Sequence, residues 1–305
     1  MKHHSLGVIG PGNHFNKKIK PIIKKNNFFK IEGFLRKKKT KKKNYFSEKE
    51  FFKKKFDFVY ISCPSQLHEK YIIKSLDSGY NVICEKPFVT RLKNLKKIIN
   101  ISKKKKKLIF ECFMYTYHPV FDYVKKFINK QSLGPIEYVI SNFRYPSLKS
   151  NDDKYKKNLG NGFYYDSAVY PVSLENYLFE FKFKPKIIKK TFKSKVDLRG
   201  YIILKNKLIK RFYFWGEGQN YSNNIEIFFK RGSIYVDKFF SKSIKEKIFL
   251  KINTPNKQYI KKFSGDHFEL MFKAIKKNYK KKDFLLKSRK IIYEHSNLLD
   301  LIKSS

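Results

Sequence analysis

The sequence predicts an α/β protein in which a doubly wound parallel sheet precedes an α+β domain with a large, mostly antiparallel open sheet. Two observations carry this prediction. Up to about residue 119, short apolar runs alternate with stretches of helical spacing, a pattern typical of a parallel sheet that helices cover on both faces. Beyond that point the runs lengthen and alternate between apolar and polar residues, as antiparallel strands do. We therefore predict two domains, residues 1–119 and residues 120–305.

The first predicted domain contains apolar runs that suit buried strands. They lie at 6–10, 29–35, 56–63, 80–84 and 108–115. Helices are predicted between them at 65–79 and 90–103, where apolar residues recur at helical spacing. Strands that alternate with helices of this length are joined by right-handed crossovers, so we expect a parallel sheet.

The second predicted domain begins with a short helix at 120–129. Strand-like alternation follows at 136–145 and in two hairpin-like runs at 200–216 and 224–240. Two helices, predicted at 266–278 and 287–304, close the chain. This order of elements indicates a larger mixed domain without internal repeats.

The net charge of +45, from 70 basic and 25 acidic residues, would ordinarily favour a nucleic acid or an anionic membrane as partner. The lysine runs, however, lie between apolar segments, where loops and helix ends are solvated. They are not interleaved with aromatic residues along one face, as a surface for single-stranded nucleic acid would be. Residues with A/T-rich codons abound throughout, so genome composition is the simpler explanation of the charge, and a general affinity for anionic ligands stays open. We predict no specific nucleic-acid partner.

The cysteine pattern favours reduced thiols over disulfides or a metal site. The chain has three cysteines, an odd number for disulfides: Cys63, Cys84 and Cys112. Their spacing is not that of metal ligands, and each lies near the end of an apolar run. No apolar run approaches the ~18–20 residues that a membrane span needs, and the first residues lead directly into a strand. We expect a cytoplasmic protein with no membrane span and no bound metal.

The turn after the first predicted strand reads GVIGPGNHF. Gly10 and Gly12 have the G-x-G spacing that lets a backbone approach a pyrophosphate, in front of a helix N-terminus that faces the negative charge. The third glycine of that motif is replaced by Phe15, and a simple Gly-Pro-Gly turn is the alternative. The position of the turn after the first strand favours a dinucleotide site. Its candidate cofactor-binding residues are Gly10, Gly12, Asn13 and His14.

The end of the second predicted strand indicates which nicotinamide cofactor fits. An acidic residue there would accept from the ribose hydroxyl of NAD, whereas a basic residue suits the 2′-phosphate of NADP. The chain offers Arg36 and Lys37 and no carboxylate. The predicted cofactor is therefore NADP, with NAD possible.

A longer stretch, SCPSQLHEKYIIKSLDSGYNVICEKPF at 62–88, resembles the Gfo/Idh/MocA family of oxidoreductases, which includes glucose–fructose oxidoreductase and inositol dehydrogenase. In that family a proline and a histidine open a helix, a glycine follows it, and the next strand ends in Glu-Lys-Pro. The matching residues are Pro64, His68, Gly79, Glu85, Lys86 and Pro87. Two further stretches, FMYTYHP at 113–119 and LGNGFYYDSAVYPVSL at 159–174, fit the same family in the same order.

This resemblance implies a catalytic role for Lys86 and a cis peptide bond before Pro87. When a hydride reaches a carbonyl carbon, negative charge grows on the oxygen, and a positioned ammonium stabilises it and supplies a proton. The resemblance also implies that Cys63, Pro64, His68, Glu85 and Lys86 line the cofactor. Without it, a lysine that ends a strand at the surface would be the simpler interpretation.

The second implied site lies in the stretch YYDSAVYPV. Many relatives carry an aspartate and a histidine there, whereas this chain has Asp166 and, four residues later, Tyr170. A tyrosine followed by proline resembles the branch with glucose–fructose oxidoreductase, dihydrodiol dehydrogenases and nucleotide-sugar ketoreductases. The resemblance implies that Tyr170 assists proton transfer and that Asp166 orients the substrate or Tyr170. Thr116 and Phe163 depart from that branch, which often has arginine and glycine in their places.

These observations together predict an NADP-preferring oxidoreductase that moves a hydride between nicotinamide and a sugar-type carbonyl or hydroxyl group. Within that class they favour a nucleotide-activated ketosugar as substrate. A dihydrodiol or biliverdin-type reductase, or a non-catalytic sensor that binds cofactor or sugar, remains open. The resemblance also implies a homodimer or homotetramer, because the open sheet of the second domain commonly forms the subunit contact.

Overall fold

The computed structural model describes residues 3–25, 27–35, 44–155, 162–179, 184–193, 196–205, 209–218 and 220–304. The chain forms two compact units. The first contains the residues up to Cys112 together with Phe272–Asn297, and the second contains Phe113–Met271 together with the residues from Leu298 onward. The division into domains at residue 119 stays a prediction, and no sequence signal had placed residues 272–297 with the N-terminal strands.

The first unit is built on a parallel sheet, which the apolar runs predicted. In the described part of the chain its strands have the order β3-β2-β1-β4-β5-β6, and every neighbouring pair is parallel. The order reverses between β1 and β4, and ligands of open α/β sheets bind outside the carboxyl ends of strands at such a reversal. The strands are β1 (His4–Ile9), β2 (Phe29–Leu35), β3 (Tyr45–Phe46), β4 (Phe58–Ile61), β5 (Asn81–Cys84) and β6 (Ile109–Glu111).

Helices cover this sheet on both sides of the reversal. They are α1 (Lys20–Lys25), α2 (Glu48–Phe51), α3 (His68–Asp77) and α4 (Leu95–Lys104). A wide π-helical turn, Phe15–Ile19, precedes α1. Pro21 explains the wide turn, because a proline has no N–H and its ring clashes with the carbonyl four residues earlier in a regular α-helix.

The core of the first unit is as continuously apolar as the strand sequences indicated. All four residues of β4 are completely buried. A buried apolar cluster of this unit contains Ile72 and Leu76 from α3 and Ile98 from α4. Ile292, from the last helix of the chain, also belongs to it. A helix near the C-terminus is therefore part of the N-terminal unit.

The second unit contains an open, mostly antiparallel sheet, and this prediction is confirmed. Among the described residues its order is β14-β13-β12-β11-β7-β10-β9-β8, with β7 and β10 as a parallel pair. β11 alternates half-buried and buried residues along its whole length, which places Ile225 and Ile227 on the inner face. The strands are β7 (Ile136–Tyr145), β8 (Lys184–Lys193), β9 (Val196–Lys205), β10 (Lys210–Glu217), β11 (Ser222–Phe229), β12 (Gly232–Asp237), β13 (Ile248–Asn253) and β14 (Gln258–Phe263).

The remaining helices are α5 (Pro119–Lys130), α6 (Val169–Leu174), α7 (His267–Asn278) and α8 (Lys282–Ser304). Two π-helical turns, Tyr164–Ala168 and Glu175–Phe179, extend α6 on either side. This helical stretch packs on the inner face of the sheet, against β7, β9 and β10. No helix in the described ranges is long and apolar enough to cross a membrane.

A buried ion pair lies beneath this helical stretch in the second unit. Arg211 on β10 and Glu175 are almost fully buried, and Arg211 Nε lies 3.4 Å from Glu175 Oε1. Tyr213 Oη donates a hydrogen bond to the same oxygen, and the Arg211 guanidinium lies 4.7 Å from the centre of the Phe179 ring. Burial raises the pKa of Glu175 to about 7, although Arg211 and Tyr213 act to lower it.

Candidate active site

The glycine turn follows β1 at the edge of the parallel sheet where the strand order reverses. Gly10 has a φ of 68°, and a Cβ atom there would lie 2.6 Å from the Cα atom of Cys63, so only glycine fits. Among the described residues, a Cβ atom at Gly12 would meet only the Gly10 carbonyl oxygen, at 4.0 Å. Asn16 Nδ2 donates to the carbonyl oxygens of Pro11 and Gly12, at 3.2 and 3.0 Å. The turn is held from within, and the described residues leave space beside the Gly12 Cα atom.

Glu85 follows β5 and connects three segments at this edge. Its Oε1 atom accepts a hydrogen bond from Tyr60 Oη on β4 and lies 3.2 Å from His14 Nε2 in the glycine turn. Burial acts to raise the pKa of Glu85, but His14 and Tyr60 outweigh it, and the pKa is lowered. The same contact raises the pKa of His14 against the opposing effect of its partial desolvation. Glu85 is therefore an ionised anchor that fixes the start of the first helical stretch.

Lys86 comes next and is joined to Pro87 by a cis peptide bond, as the resemblance implied. Burial acts to raise the pKa of Glu85, and the positive charge of Lys86 joins the His14 contact in lowering it. The Lys86 charge likewise opposes protonation of His14. The ammonium group of Lys86 thus shares the electrostatic environment of the glycine turn.

His68, the first residue of α3, bridges two of these loops. Its Nδ1 atom lies 2.8 Å from the Pro87 carbonyl oxygen, and its Nε2 atom lies 2.9 Å from the Cys63 carbonyl oxygen. Burial lowers the pKa of His68, although the contacts with the two carbonyl oxygens act to raise it. His68 holds the loop after β4 against the Glu-Lys-Pro turn, a role that sequence reasoning had not foreseen.

The remaining cofactor candidates have simpler positions. Asn13 is exposed in the glycine turn, and the Pro64 carbonyl oxygen accepts from the amide of Leu67 in the 3-10 turn before α3. Arg36 and Lys37 lie outside the residues that the structure describes. The binding of cofactor by these residues stays a prediction.

In the second unit, Asp166 is held by two side chains that sequence reasoning missed. Its Oδ2 atom accepts a hydrogen bond from Tyr145 Oη at 2.6 Å and lies 2.9 Å from Lys154 Nζ. Burial and the Asp166 charge together raise the pKa of Tyr145, which keeps that hydroxyl protonated as a donor. Tyr145 and Lys154 together fix the direction of the Asp166 carboxyl group.

Tyr170 stands in an aromatic cage of the same unit. It is 7% exposed and stacks on Phe143, with ring centres 4.5 Å apart. Phe113 meets its ring edge-on at 6.1 Å, and Phe240 lies 5.7 Å away. Ser173 Oγ donates to the Tyr170 carbonyl oxygen at 2.7 Å. Ring contacts on several sides fix the direction of the Tyr170 side chain.

No group of three or more histidine, cysteine, aspartate or glutamate residues that could hold a metal ion occurs among the described residues. The two clusters contain an ammonium, phenols and carboxylates, side chains that can donate or accept protons.

Residues 4–113 match the model of the family described as "Oxidoreductase family, NAD-binding Rossmann fold" (GFO_IDH_MocA). This first part of the chain is therefore similar to the Gfo/Idh/MocA family. The match includes the Glu-Lys-Pro strand that carried the resemblance, whereas the two later motifs lie at and beyond its end.

Two curated proteins are similar to longer parts of the chain. A dTDP-3,4-didehydro-2,6-dideoxy-alpha-D-glucose 3-reductase from Saccharopolyspora spinosa is 26% identical over 191 residues, which cover 61% of this chain and 57% of the relative. A scyllo-inositol 2-dehydrogenase (NADP(+)) from Bacillus subtilis is 29% identical over 159 residues, covering 49% of this chain and 47% of the relative. The chain thus matches about half of the length of these relatives.

A solved structure agrees with the fold over almost the whole chain. A 3-ketoreductase from Actinomadura kijaniata, crystallised with NADP and TDP-benzene, superposes with a TM-score of 0.93 at 17% sequence identity. The match covers 99% of this chain and 98% of that chain. The combination of the parallel sheet with the open antiparallel sheet is therefore a known fold.

Proposed function

We propose that this protein is an NADP-preferring oxidoreductase that moves a hydride between nicotinamide and a carbonyl or hydroxyl group of a sugar-type substrate. The observation that carries the proposal is the Glu-Lys-cis-Pro turn after β5. It lies at the same edge of the parallel sheet as the open glycine turn, and His14 and Tyr60 tie the two together through Glu85. Strand ends at a reversal of the strand order are where such sheets bind dinucleotides.

The residues at this edge fit a dinucleotide. The turn at Gly12 has space beside its Cα atom and stands in front of a helical stretch, the arrangement that accepts a pyrophosphate. The amide of Gly10 lies 3.3 Å from the Leu35 carbonyl oxygen, so the end of β2 adjoins the glycine turn, and Arg36 and Lys37 follow Leu35 in the sequence. Gly10, Gly12, Asn13 and His14 would hold the pyrophosphate side of the cofactor, with Cys63, Pro64, His68 and Glu85 beside it.

The bound nicotinamide supplies or accepts the hydride. In the reducing direction, the Lys86 ammonium stabilises the negative charge that grows on the substrate oxygen and donates a proton from Nζ. Tyr170 assists from its hydroxyl. Asp166, held by Tyr145 and Lys154, accepts hydrogen bonds from substrate hydroxyl groups and orients them.

The preference for NADP has a direct test in Arg36 and Lys37. Replacing both with alanine is expected to raise the dissociation constant of NADPH by about tenfold or more, because two charge-assisted contacts to the 2′-phosphate are lost. The affinity for NADH should change less than twofold. Titration of both nucleotides, followed by nicotinamide fluorescence at physiological salt, measures the difference. An equal weakening for both nucleotides would place the two side chains away from the 2′-phosphate.

The substrate class that we favour is a nucleotide-activated ketosugar. Two findings support this choice: the 3-reductase relative acts on a dTDP-activated didehydro sugar by its name, and the structurally similar 3-ketoreductase was crystallised with TDP-benzene. The strongly positive chain also suits a diphosphate ligand. A dihydrodiol or biliverdin-type reductase uses the same hydride chemistry and differs only in the substrate pocket.

The test of the function is oxidation of NADPH in the presence of substrates from each class. The purified protein is titrated with NADPH and NADH, and then assayed with dTDP-ketosugars, with unactivated keto-inositols and, in reverse, with trans-dihydrodiols. Turnover with the dTDP-ketosugars supports the full proposal. Turnover with the keto-inositols or the trans-dihydrodiols instead would correct the proposed substrate class. Nucleotide binding without any turnover would favour a sensor, and failure to bind either nucleotide would overturn the proposal.

The outer face of the antiparallel sheet supports a homodimer or homotetramer. Tyr138 on β7 stacks on Phe228 of β11 at 4.2 Å, and Tyr201 of β9 lies 6.2 Å from Phe214 of β10. These half-buried rings form an apolar ladder suited to a second copy. Sedimentation at micromolar concentration should find a dimer or tetramer that the exchange of Phe214 for glutamate converts to monomer. A monomeric wild type would contradict this assembly. The cytoplasmic location stays a prediction of the sequence.

A further inference from the structure

A buried carboxylate–imidazole pair supports the Glu-Lys-Pro turn from behind. Glu111 ends β6 and His295 lies on α8, and their side chains are almost completely buried within the first unit. Glu111 Oε1 accepts a hydrogen bond from the backbone amide of Phe88 at 2.8 Å. Glu111 Oε2 lies 3.3 Å from His295 Nδ1. A buried carboxylate without polar partners is costly, and each oxygen of Glu111 has one. The partner of Oε1 is the amide of Phe88, the residue directly after cis Pro87.

The position of His295 is set by the way α8 lies along β6 and α4. Ser288 Oγ donates to the Ile109 carbonyl oxygen of β6. Arg289 Nε donates to Ser102 Oγ at 3.0 Å, and its Nη2 donates to the Ser102 carbonyl oxygen at 3.2 Å. These contacts fix the helix about two turns before His295. The helix therefore presents its histidine to Glu111 at a determined depth.

The turn that carries Lys86 is consequently fixed on both sides of that residue. The Glu85 amide donates to the Ile61 carbonyl oxygen at 3.0 Å, and the Pro87 carbonyl oxygen lies 2.8 Å from His68 Nδ1. The Phe88 amide completes the set through Glu111. A group that must meet a developing charge needs positioning to within about half an ångström. Three neighbouring backbone contacts give the Lys86 backbone that restraint.

We propose that His295, acting through Glu111, is a positioning residue for Lys86. Glu111, fixed by His295, accepts a hydrogen bond from the Phe88 amide. This hydrogen bond restrains the cis turn, and the turn sets the direction of the Lys86 ammonium group. This inference rests on the proposed role of Lys86 in catalysis. It gives the C-terminal helix a part in the chemistry of the N-terminal unit, which a purely structural role in the core would not require.

Amide hydrogen exchange resolved to Phe88 tests the proposal in the full-length protein without any substrate. Replacing His295 with leucine removes the partner of Glu111 Oε2 and should raise the exchange rate of the Phe88 amide about 10- to 100-fold, relative to the Val59 amide of β4 in the same protein. His295→Asn restores a donor near the Nδ1 position and should recover most of the protection. The control is Ile98→Val, a buried change in the same unit that removes no hydrogen-bonding group from the turn. It should leave the ratio of the two exchange rates unchanged.

The catalytic readout separates positioning from simple packing. His295→Leu should lower kcat about 10- to 100-fold with the KM for NADPH within about twofold, because the lysine is present but misplaced. If His295→Leu does not fold, Glu111→Gln serves instead. It keeps one acceptor for the Phe88 amide and should raise the exchange ratio about three- to tenfold.

An unchanged Phe88 ratio in a folded His295→Leu protein would overturn the inference, as would a kcat no lower than that of Ile98→Val. If the wild type reduces no substrate at all, the proposed function fails. The exchange ratio still decides whether the pair holds the turn.

Discussion

Replacing Lys86 with methionine is expected to lower kcat for the ketosugar by a factor of about 10²–10⁴, because the transition state loses both a charge-assisted contact and a proton donor. Methionine has nearly the length of lysine and no charge, so the turn and its cis peptide bond should persist. The dissociation constant of NADPH should stay within about threefold, since the glycine turn and Glu85 hold that end of the site. Stopped-flow absorbance at 340 nm, combined with the fluorescence titration, measures both quantities.

The matched control is Lys93→Met, which removes one exposed lysine of the same domain. In a chain with a net charge of +45, the loss of a single surface charge should change kcat by less than about twofold. If Lys86→Met retains turnover within tenfold of wild type, the ammonium is not the group that meets the substrate oxygen. Tyr170 would then be the first candidate to replace it.

The largest effect on stability is expected from Arg211→Met in the second unit. The exchange leaves Glu175 buried without its cation, and removing one partner of a buried ion pair costs about 3–5 kcal/mol. The cost depends on pH. The pKa of Glu175 is already raised to about 7 by burial, and the loss of Arg211 raises it further. The variant should therefore be much less stable than wild type at pH 8 and closer to it at pH 5.5, where the carboxyl is protonated.

The sign of this dependence follows from linkage. A carboxyl whose pKa is higher in the folded than in the unfolded state contributes stability that is present at low pH and is lost as the pH rises through the folded value. Urea unfolding at the two pH values gives the difference directly. The double variant Arg211→Met with Glu175→Gln keeps an acceptor for Tyr213 but has no titrating carboxyl at position 175. The contribution of this site to stability should therefore differ little between the two pH values. If Arg211→Met lowers the free energy of unfolding equally at pH 5.5 and pH 8, the result would contradict a Glu175 carboxyl with a pKa of about 7.

The fold could be predicted from the sequence where the pattern was strong. β2 and β7 have the bounds that their apolar runs indicated, at 29–35 and 136–145. β6 was expected over 108–115 but ends at Glu111, because the apolar residues that follow enter a 3-10 turn at Met114–Tyr117. Apolar character alone does not distinguish a strand from a buried turn. The helix expected from residue 90 starts only at Leu95 for a similar reason, since the chain first forms an irregular segment after the cis turn.

The candidate site was predictable only where its residues lie in short motifs. The glycine turn and the Glu-Lys-Pro strand are contiguous in sequence, so spacing and resemblance identified them. Tyr145 and Lys154 approach Asp166 from outside the helix motif, and the sequence separation of Glu111 and His295 is 184 residues. A single polar residue on an apolar strand or helix leaves no periodic signal that names its partner. Only the packing of α8 against β6 brings His295 to Glu111.

We propose that a hydride passes between nicotinamide and a sugar-type carbonyl at this site. The most direct test uses NADPH carrying deuterium at either face of C4 of the nicotinamide ring, a dTDP-ketosugar, and mass spectrometry of the product. With one of the two labelled cofactors, we predict one deuterium at the former carbonyl carbon for wild type, and none for Lys86→Met in the same time. An NADPH-binding wild type that delivers deuterium to no dTDP-ketosugar from either face would contradict the proposed reaction.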